Sequence, residues 1–164
     1  MLFIKDQDGA YRPASKKLVF TEAKRLSGYR LRKRTYISSP EDAKSAMGYR
    51  LRDKQCEVFA CLFLDASHRV LAFKEMFRGS INRATVHPRE VVKEALHHNA
   101  AAVIIAHNHP SGESNPSDQD IELTHILRDI LQVIDVRILD HLVIGEEITS
   151  FADLGLLQEK KNHK

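Results

Sequence analysis

Four residues near the middle of the chain have types and a spacing that suit metal chemistry: His107, His109, Ser117 and Asp120. The histidines end a short apolar run, and residues two apart on a strand point to the same side, so both imidazoles can face one ion. Pro and Gly then turn the chain, and Asp120 falls in the first turn of a helix that Ser117 can cap. Two histidines and one aspartate fill three positions of a tetrahedral zinc site and leave the fourth for water, the pattern of a catalytic zinc.

Zinc in such a site lowers the pKa of its water from about 15.7 to ~7, which supplies a nucleophile at neutral pH. Ser117 could donate a hydrogen bond to the oxyanion that develops during attack. An isolated histidine pair is also compatible with a surface or core role, and the Ser and Asp at their set spacing favour the metal site. Other metal families fit less well. A metallo-β-lactamase needs Asp-His after the second histidine, an amidohydrolase needs a barrel of about 250 residues, and an HNH nuclease disperses its three residues over a ββα unit.

Capping signals and hydrophobic periodicity predict the elements that position these residues. Helices and strands alternate after an initial hairpin, which predicts an α/β sandwich with a mixed sheet. The predicted elements are a helix opening at Ser39 and Pro40, strands at about 56–64 and 69–77, a helix at 87–99, a strand at 101–109, a helix at 117–134, a strand at 136–145 and a short edge element after it.

Length and composition indicate one globular domain with an extension. The chain has 164 residues, of which 43% are hydrophobic and 29% charged, and it has no apolar run long enough to span a membrane and no secretory signal pattern. We therefore expect a cytoplasmic protein with a basic extension at 1–36 and a metal-binding domain at 37–164. Residues 23–36, "AKRLSGYRLRKRTY", hold most of the basic excess. They favour a solvated basic face, with a DNA-binding patch as the alternative.

The string "HNHPSGESNPSDQD" fits the pattern H-x-H-x7-S-x2-D, the JAMM signature of JAB/MPN domains. Together with "RGSINRATVHPREVVKEALHHNAAAVIIAHNHPSG" and "DHLVIG", it resembles the RadC family over residues 40–157. The resemblance implies a cytidine deaminase-like α-β-α sandwich that holds zinc through His107, His109 and Asp120, with Ser117 assisting. It also implies a short form without the helix-hairpin-helix region of longer members.

Relatives of the JAB/MPN domain include zinc peptidases and isopeptidases, which use an upstream Glu as general base. In the RadC family this Glu is expected five residues before the Gly of the "RG" turn, a position that is Lys74 here, with Glu75 beside it. We predict Glu75 as the base, which requires a bulge to turn it toward the site. The expected function is a zinc-dependent metallopeptidase acting on an amide bond of an unidentified peptide or protein. The alternatives are a DNA repair or recombination accessory protein that uses residues 23–36, and a scaffold that has lost its base.

Overall fold

A five-stranded mixed sheet in the order β4-β3-β5-β6-β7 organises the chain, and a separate two-stranded sheet lies near its start. The computed structural model describes residues 2–81 and 86–158. Among the strands of these described residues, only β5 and β6 pair in parallel, because α4 crosses over between them. The elements are β1 (Phe3–Lys5), β2 (Tyr11–Pro13), α1 (Lys16–Arg30), α2 (Pro40–Leu51), β3 (Val58–Leu64), β4 (Val70–Arg78), α3 (Pro88–His97), β5 (Ala102–Asn108), α4 (Asp118–Gln132), β6 (Arg137–Ile144) and β7 (Ile148–Ser150).

Helices cover both faces of the large sheet. Alternate residues of β3 and β5 contribute to two separate apolar cores. On one face Ala60 and Ile104 pack with α2, and on the other Phe59 and Ile105 pack with α3 and α4. The predicted α/β sandwich with a mixed sheet is confirmed, and β3 and β5 are buried along their whole lengths because both of their faces are covered.

Both predicted serine caps are present. The Ser39 side chain accepts a hydrogen bond from the Asp42 amide at the start of α2. Ser117 forms a reciprocal capping box with Asp120 at the start of α4. Asn99 adopts a left-handed φ of 51° just beyond α3, which ends that helix as expected. These local signals fix where α2, α3 and α4 begin or end.

The first 36 residues contain more structure than their weak periodicity predicts. They form the β1–β2 hairpin and α1, and α1 contacts α2. Leu31 and Ile37 are buried in the core on the α2 face. The amide of Arg34 donates to the Val70 carbonyl and the Val70 amide donates to Thr35, each at 2.7 Å. The end of the extension is thus joined to the start of β4.

Two parts of the sequence predictions fall outside the described residues: positions 82–85 of the RadC-like string and the end of the predicted domain, 159–164. Within 2–81 and 86–158, none of the helices combines the length and the apolar composition that crossing a membrane requires.

Candidate metal centre

Three predicted ligands meet at the end of β5. His107 is the last histidine within the strand, His109 follows it, and Asp120 comes from the first turn of α4. Each offers one ligand atom, and these atoms all lie within 4.8 Å of one another. The His107 Nε2 to His109 Nε2 distance is 3.0 Å, and His107 Nε2 to Asp120 Oδ1 is 3.3 Å. The structure therefore brings the three residues together as the spacing predicts.

The donor set and its spacing fit zinc. Nitrogen and oxygen ligands about 2.0–2.1 Å from a tetrahedral zinc lie about 3.3 Å from each other. The separations of His107 from His109 and from Asp120 are close to that value, and all three ligand atoms lie within 4.8 Å of one another. His107 and Asp120 are buried whereas His109 is half-buried. The open side of the triad is thus the side of His109, where a water or substrate could take a fourth position.

Ser117 lies against Asp120 rather than toward the open side. Its hydroxyl donates to Asp120 Oδ2 at 2.7 Å, and its amide donates to the same oxygen at 2.8 Å. Burial by itself would raise the pKa of Asp120, but the interactions with His107 and Ser117 outweigh it and hold that pKa well below its usual range. Ser117 therefore holds Oδ2 of Asp120, while Oδ1 is directed at His107. Its role toward an oxyanion stays a prediction.

The loop after β5 orients His109. Nδ1 of His109 lies 2.9 Å from the Glu113 carbonyl oxygen, which can only accept, so this nitrogen carries the proton. Nε2 is then left with a lone pair facing His107. The His109 amide donates to the carbonyl of Ile144, which ties the loop to the end of β6.

His141 is fully buried behind His107. Its Nε2 lies 2.8 Å from His107 Nδ1, and its Nδ1 lies 2.6 Å from the Thr124 hydroxyl. Burial lowers the pKa of His141 well below its ordinary value. Position in the sequence could not reveal this contact, because it depends on the register of β6 against β5, which pairs His141 with Ile105.

Glu75, the predicted general base, is not brought to the triad. It pairs with Ala60, whose side chain belongs to the core on the α2 face, whereas His107 is on the opposite face. The register shift in β4 comes after Glu75, at Met76, so it does not turn Glu75 toward the triad. Glu75 instead accepts hydrogen bonds from Lys54 at 2.8 Å and from Arg78 at 2.9 Å.

These ion pairs also make Glu75 a weak proton acceptor. Burial alone would raise its pKa, but Lys54 and Arg78 lower it below the ordinary value. Lys74, its neighbour, is on the metal-site face but lies opposite Cys61, and its ammonium is 3.6 Å from Glu94. Lys74 is therefore held at the edge of the sheet, two strands from β5.

Glu57 is the carboxylate that sequence reasoning missed. The antiparallel register pairs Phe59 with His107, and strand alternation assigns Glu57, two residues before Phe59, to the same face of the sheet as that pair. Its side chain is half-buried, and Oε2 accepts the Ile81 amide at 2.6 Å, which fixes the carboxylate. The signal in the sequence was its position immediately before the apolar run of β3, but only the β3–β5 register relates it to the histidines.

An α-β-α sandwich with a His-x-His pair at a strand end and an aspartate in the first turn of the next helix is the arrangement expected of a JAB domain. The sequence profile of the RadC-like JAB domain matches residues 37–156, and the chain belongs to this family. It is 58% identical to a UPF0758 protein of Thioalkalivibrio sulfidiphilus over 121 residues, 74% of this chain and 54% of that protein. It is 52% identical to one of Halorhodospira halophila over 136 residues, 82% and 61% of the two chains.

A UPF0758 protein of Ectopseudomonas mendocina is 49% identical over 148 residues, 90% of this chain and 66% of that protein. The chain thus spans between about half and two thirds of the length of these curated relatives. The resemblance to the RadC family is confirmed.

Proposed function

We propose that this chain is a zinc-dependent hydrolase of amide bonds in peptides or proteins. The observation that carries the proposal is the convergence of His107, His109 and Asp120 within 4.8 Å of one another, on the sheet face to which strand alternation assigns Glu57. Zinc in such a site activates a water molecule and polarises a carbonyl group. A carboxylate near the open side supplies the proton transfer that amide cleavage needs.

Glu57 is the general base in this proposal. Its carboxylate takes a proton from the attacking water and returns it to the nitrogen of the leaving amine, so a single group serves both steps. The Ile81 amide occupies Oε2, which leaves Oε1 for the proton transfer. Ser117 acts by holding Asp120, and Glu75 takes no part because its ion pairs lie on the other face.

A pair of matched substitutions tests this assignment. Wild-type protein purified without a His tag or chelator should contain about one zinc per chain by elemental mass spectrometry, and His109→Ala and Asp120→Ala should lose it. The zinc-loaded protein is then assayed on fluorogenic peptide and isopeptide libraries. Glu57→Gln should retain zinc but lose about 10²- to 10⁴-fold in hydrolysis rate, the usual contribution of a general base.

Glu75→Gln is the control, since it neutralises a carboxylate of the same type on the opposite face. It should hydrolyse the same substrates at close to the wild-type rate. The reverse result, loss in Glu75→Gln and activity in Glu57→Gln, would restore Glu75 as the base. Zinc-loaded wild type with no activity on either library would count against hydrolysis and favour the scaffold alternative.

A second candidate function is DNA binding through residues 23–36. Its support is the turn after α1, where Arg32, Lys33 and Arg34 are consecutive and exposed. Within α1 the case is weaker, because Lys24 pairs with Asp53 and Arg25 pairs with Glu22. If this turn binds DNA, affinity should fall steeply with salt and should drop when the three residues are changed to Gln. Salt-independent or undetectable binding would exclude the candidate.

A further inference from the structure

His141 and Thr124 connect two of the metal ligands from behind. The His141 ring contacts His107 on one side and the Thr124 hydroxyl on the other, and that hydroxyl also lies 2.6 Å from the Asp120 carbonyl oxygen. We propose that these two residues form a hydrogen-bonded bridge that holds His107 in its metal-binding tautomer and thereby sets the metal affinity of the site. The inference rests on the proposed function only in that the site binds a metal ion.

The direction of the bridge follows from counting protons. Thr124 has one hydroxyl proton and two partners, the Asp120 carbonyl oxygen and Nδ1 of His141, each at 2.6 Å. A carbonyl oxygen can only accept, so the hydroxyl proton is given to Asp120. Thr124 must then accept from His141, and Nδ1 of His141 carries a proton.

The proton positions on the two histidines follow in turn. The His141 ring is fully buried, its two nitrogens meet a hydroxyl and an imidazole, and burial favours an uncharged ring with one proton. With Nδ1 protonated, its Nε2 accepts, and His107 Nδ1 must be the donor across 2.8 Å. His107 Nε2 is left with a lone pair that faces His109 and Asp120.

The bridge also fixes the ring of His141 itself. The ring stacks on Phe151 with centroids 4.5 Å apart, and Phe59 meets its edge at 6.1 Å. His107 on β5, His141 on β6 and Thr124 on α4 are thereby linked through one rigid side chain. Because Asp120 lies one turn before Thr124, the bridge sets the distance between two ligands as well as the tautomer of one.

Substitutions that remove or keep the bridge test it. Thr124→Val removes the hydroxyl at equal size, and His141→Phe removes both ring nitrogens. Each should weaken zinc binding by about 10- to 100-fold, the usual effect of losing a group that orients a ligand, measured by competition with a chromophoric chelator. Thr124→Ser keeps the hydroxyl, and His141→Gln keeps one donor and one acceptor at similar spacing, so both should bind zinc much as the wild type does.

A control on the same helix separates loss of the bridge from general destabilisation of the domain. Leu131→Ala opens a cavity two turns beyond Thr124 and destabilises the domain without touching the bridge. It should keep wild-type zinc affinity even where its unfolding midpoint falls as far as that of Thr124→Val. Equal loss of affinity in the control, or unchanged affinity in both Thr124→Val and His141→Phe, would overturn the proposal.

A metal-free measurement separates this inference from the proposed function. Long-range ¹H–¹⁵N spectra of the metal-free chain, assigned with His107→Gln and His141→Gln, report which ring nitrogen is protonated. The bridge requires a proton on Nδ1 of both rings, and an unprotonated Nδ1 on His107 would overturn it. Wild-type protein that takes up no zinc would refute the proposed function, while the spectra would still support or overturn the bridge.

Discussion

Gly145→Ala tests how the second histidine is held, through a contact that the sequence does not reveal. Gly145 follows β6 and lies under the loop after β5. A Cβ at this position would overlap the Gly112 carbonyl oxygen and would lie 2.7 Å from the carbonyl carbon and oxygen of Glu113. The Glu113 oxygen is the acceptor that orients His109. The substitution therefore acts on a metal ligand without changing any ligand.

The structure gives the size of the effect. Ordinary contact with a Cβ begins at 3.4 Å, so the Glu113 carbonyl must retreat by about 0.7 Å. A retreat of that size along the bond would stretch the 2.9 Å contact with His109 Nδ1 to about 3.6 Å, which is no longer a hydrogen bond. We expect zinc affinity to fall by about 10- to 100-fold. Overpacking against the loop should cost about 1–3 kcal/mol of folding free energy.

Two glycine substitutions serve as controls for Gly145→Ala, with zinc affinity measured by chelator competition and stability by denaturant unfolding of the metal-free chain. Gly48→Ala is also crowded, at 2.5 Å from Ile148 Cδ1, but on a side chain that can turn away. Gly28→Ala lies in α1 with nothing within 4 Å. Both should bind zinc like the wild type. Wild-type affinity in Gly145→Ala, or an equal loss in Gly48→Ala, would refute the link between Gly145 and His109.

Three further substitutions have defined outcomes. Ser117→Ala removes the cap of α4 and a donor to Asp120, so the free energy of unfolding should fall by ~1 kcal/mol and zinc affinity should also fall. Ser117→Thr keeps the hydroxyl and should retain stability and zinc affinity in the same unfolding and chelator assays. Lys74→Glu should leave hydrolysis unchanged, because the residue lies about 12 Å from His107 by strand spacing; a rise in rate would contradict the register of β4. Glu75→Gln should lower stability at pH 7 by about 1 kcal/mol. Because folding lowers the pKa of Glu75 from its ordinary 4.5, this deficit should persist above that pH and shrink as pH falls through the lowered value in urea titrations.

The convergence of the three candidate ligands was predictable because their relation is local. Strand alternation relates His107 to His109, and a turn with a capped helix relates both to Asp120, all within fourteen residues of sequence. The mixed sheet and its covering helices were also predictable, since the hairpin and the alternation of helices with strands restrict the topology. Capping residues placed the helix ends to within about two residues.

The supporting residues could not be predicted, because each depends on pairing between distant segments. His141 contacts His107 only through the parallel register of β6 on β5, and Glu57 shares the face of His107 only through the antiparallel register of β3 on β5. A shift of one residue in either register would move these side chains to the other face of the sheet. The same alternation of faces excludes Glu75 as the base, because Glu75 is on the opposite face and its neighbour Lys74 is on the metal-site face.

Asn108, between the two histidines, links the strand end that carries the histidines to the backbone that carries Glu57. Alternation directs its side chain to the face opposite the metal, where it is buried and bonds to the start of β3. Its Oδ1 accepts the Val58 amide at 2.8 Å and its Nδ2 donates to the Cys56 carbonyl at 3.1 Å. These are the two residues that flank Glu57. The triplet His-Asn-His therefore supplies two ligands on one face and, from the other, fixes the backbone that carries the proposed base. In Asn108→Asp, the carboxylate could accept from the Val58 amide but could not donate to the Cys56 carbonyl. Loss of that hydrogen bond would loosen the backbone on one side of Glu57 and so affect the proposed base.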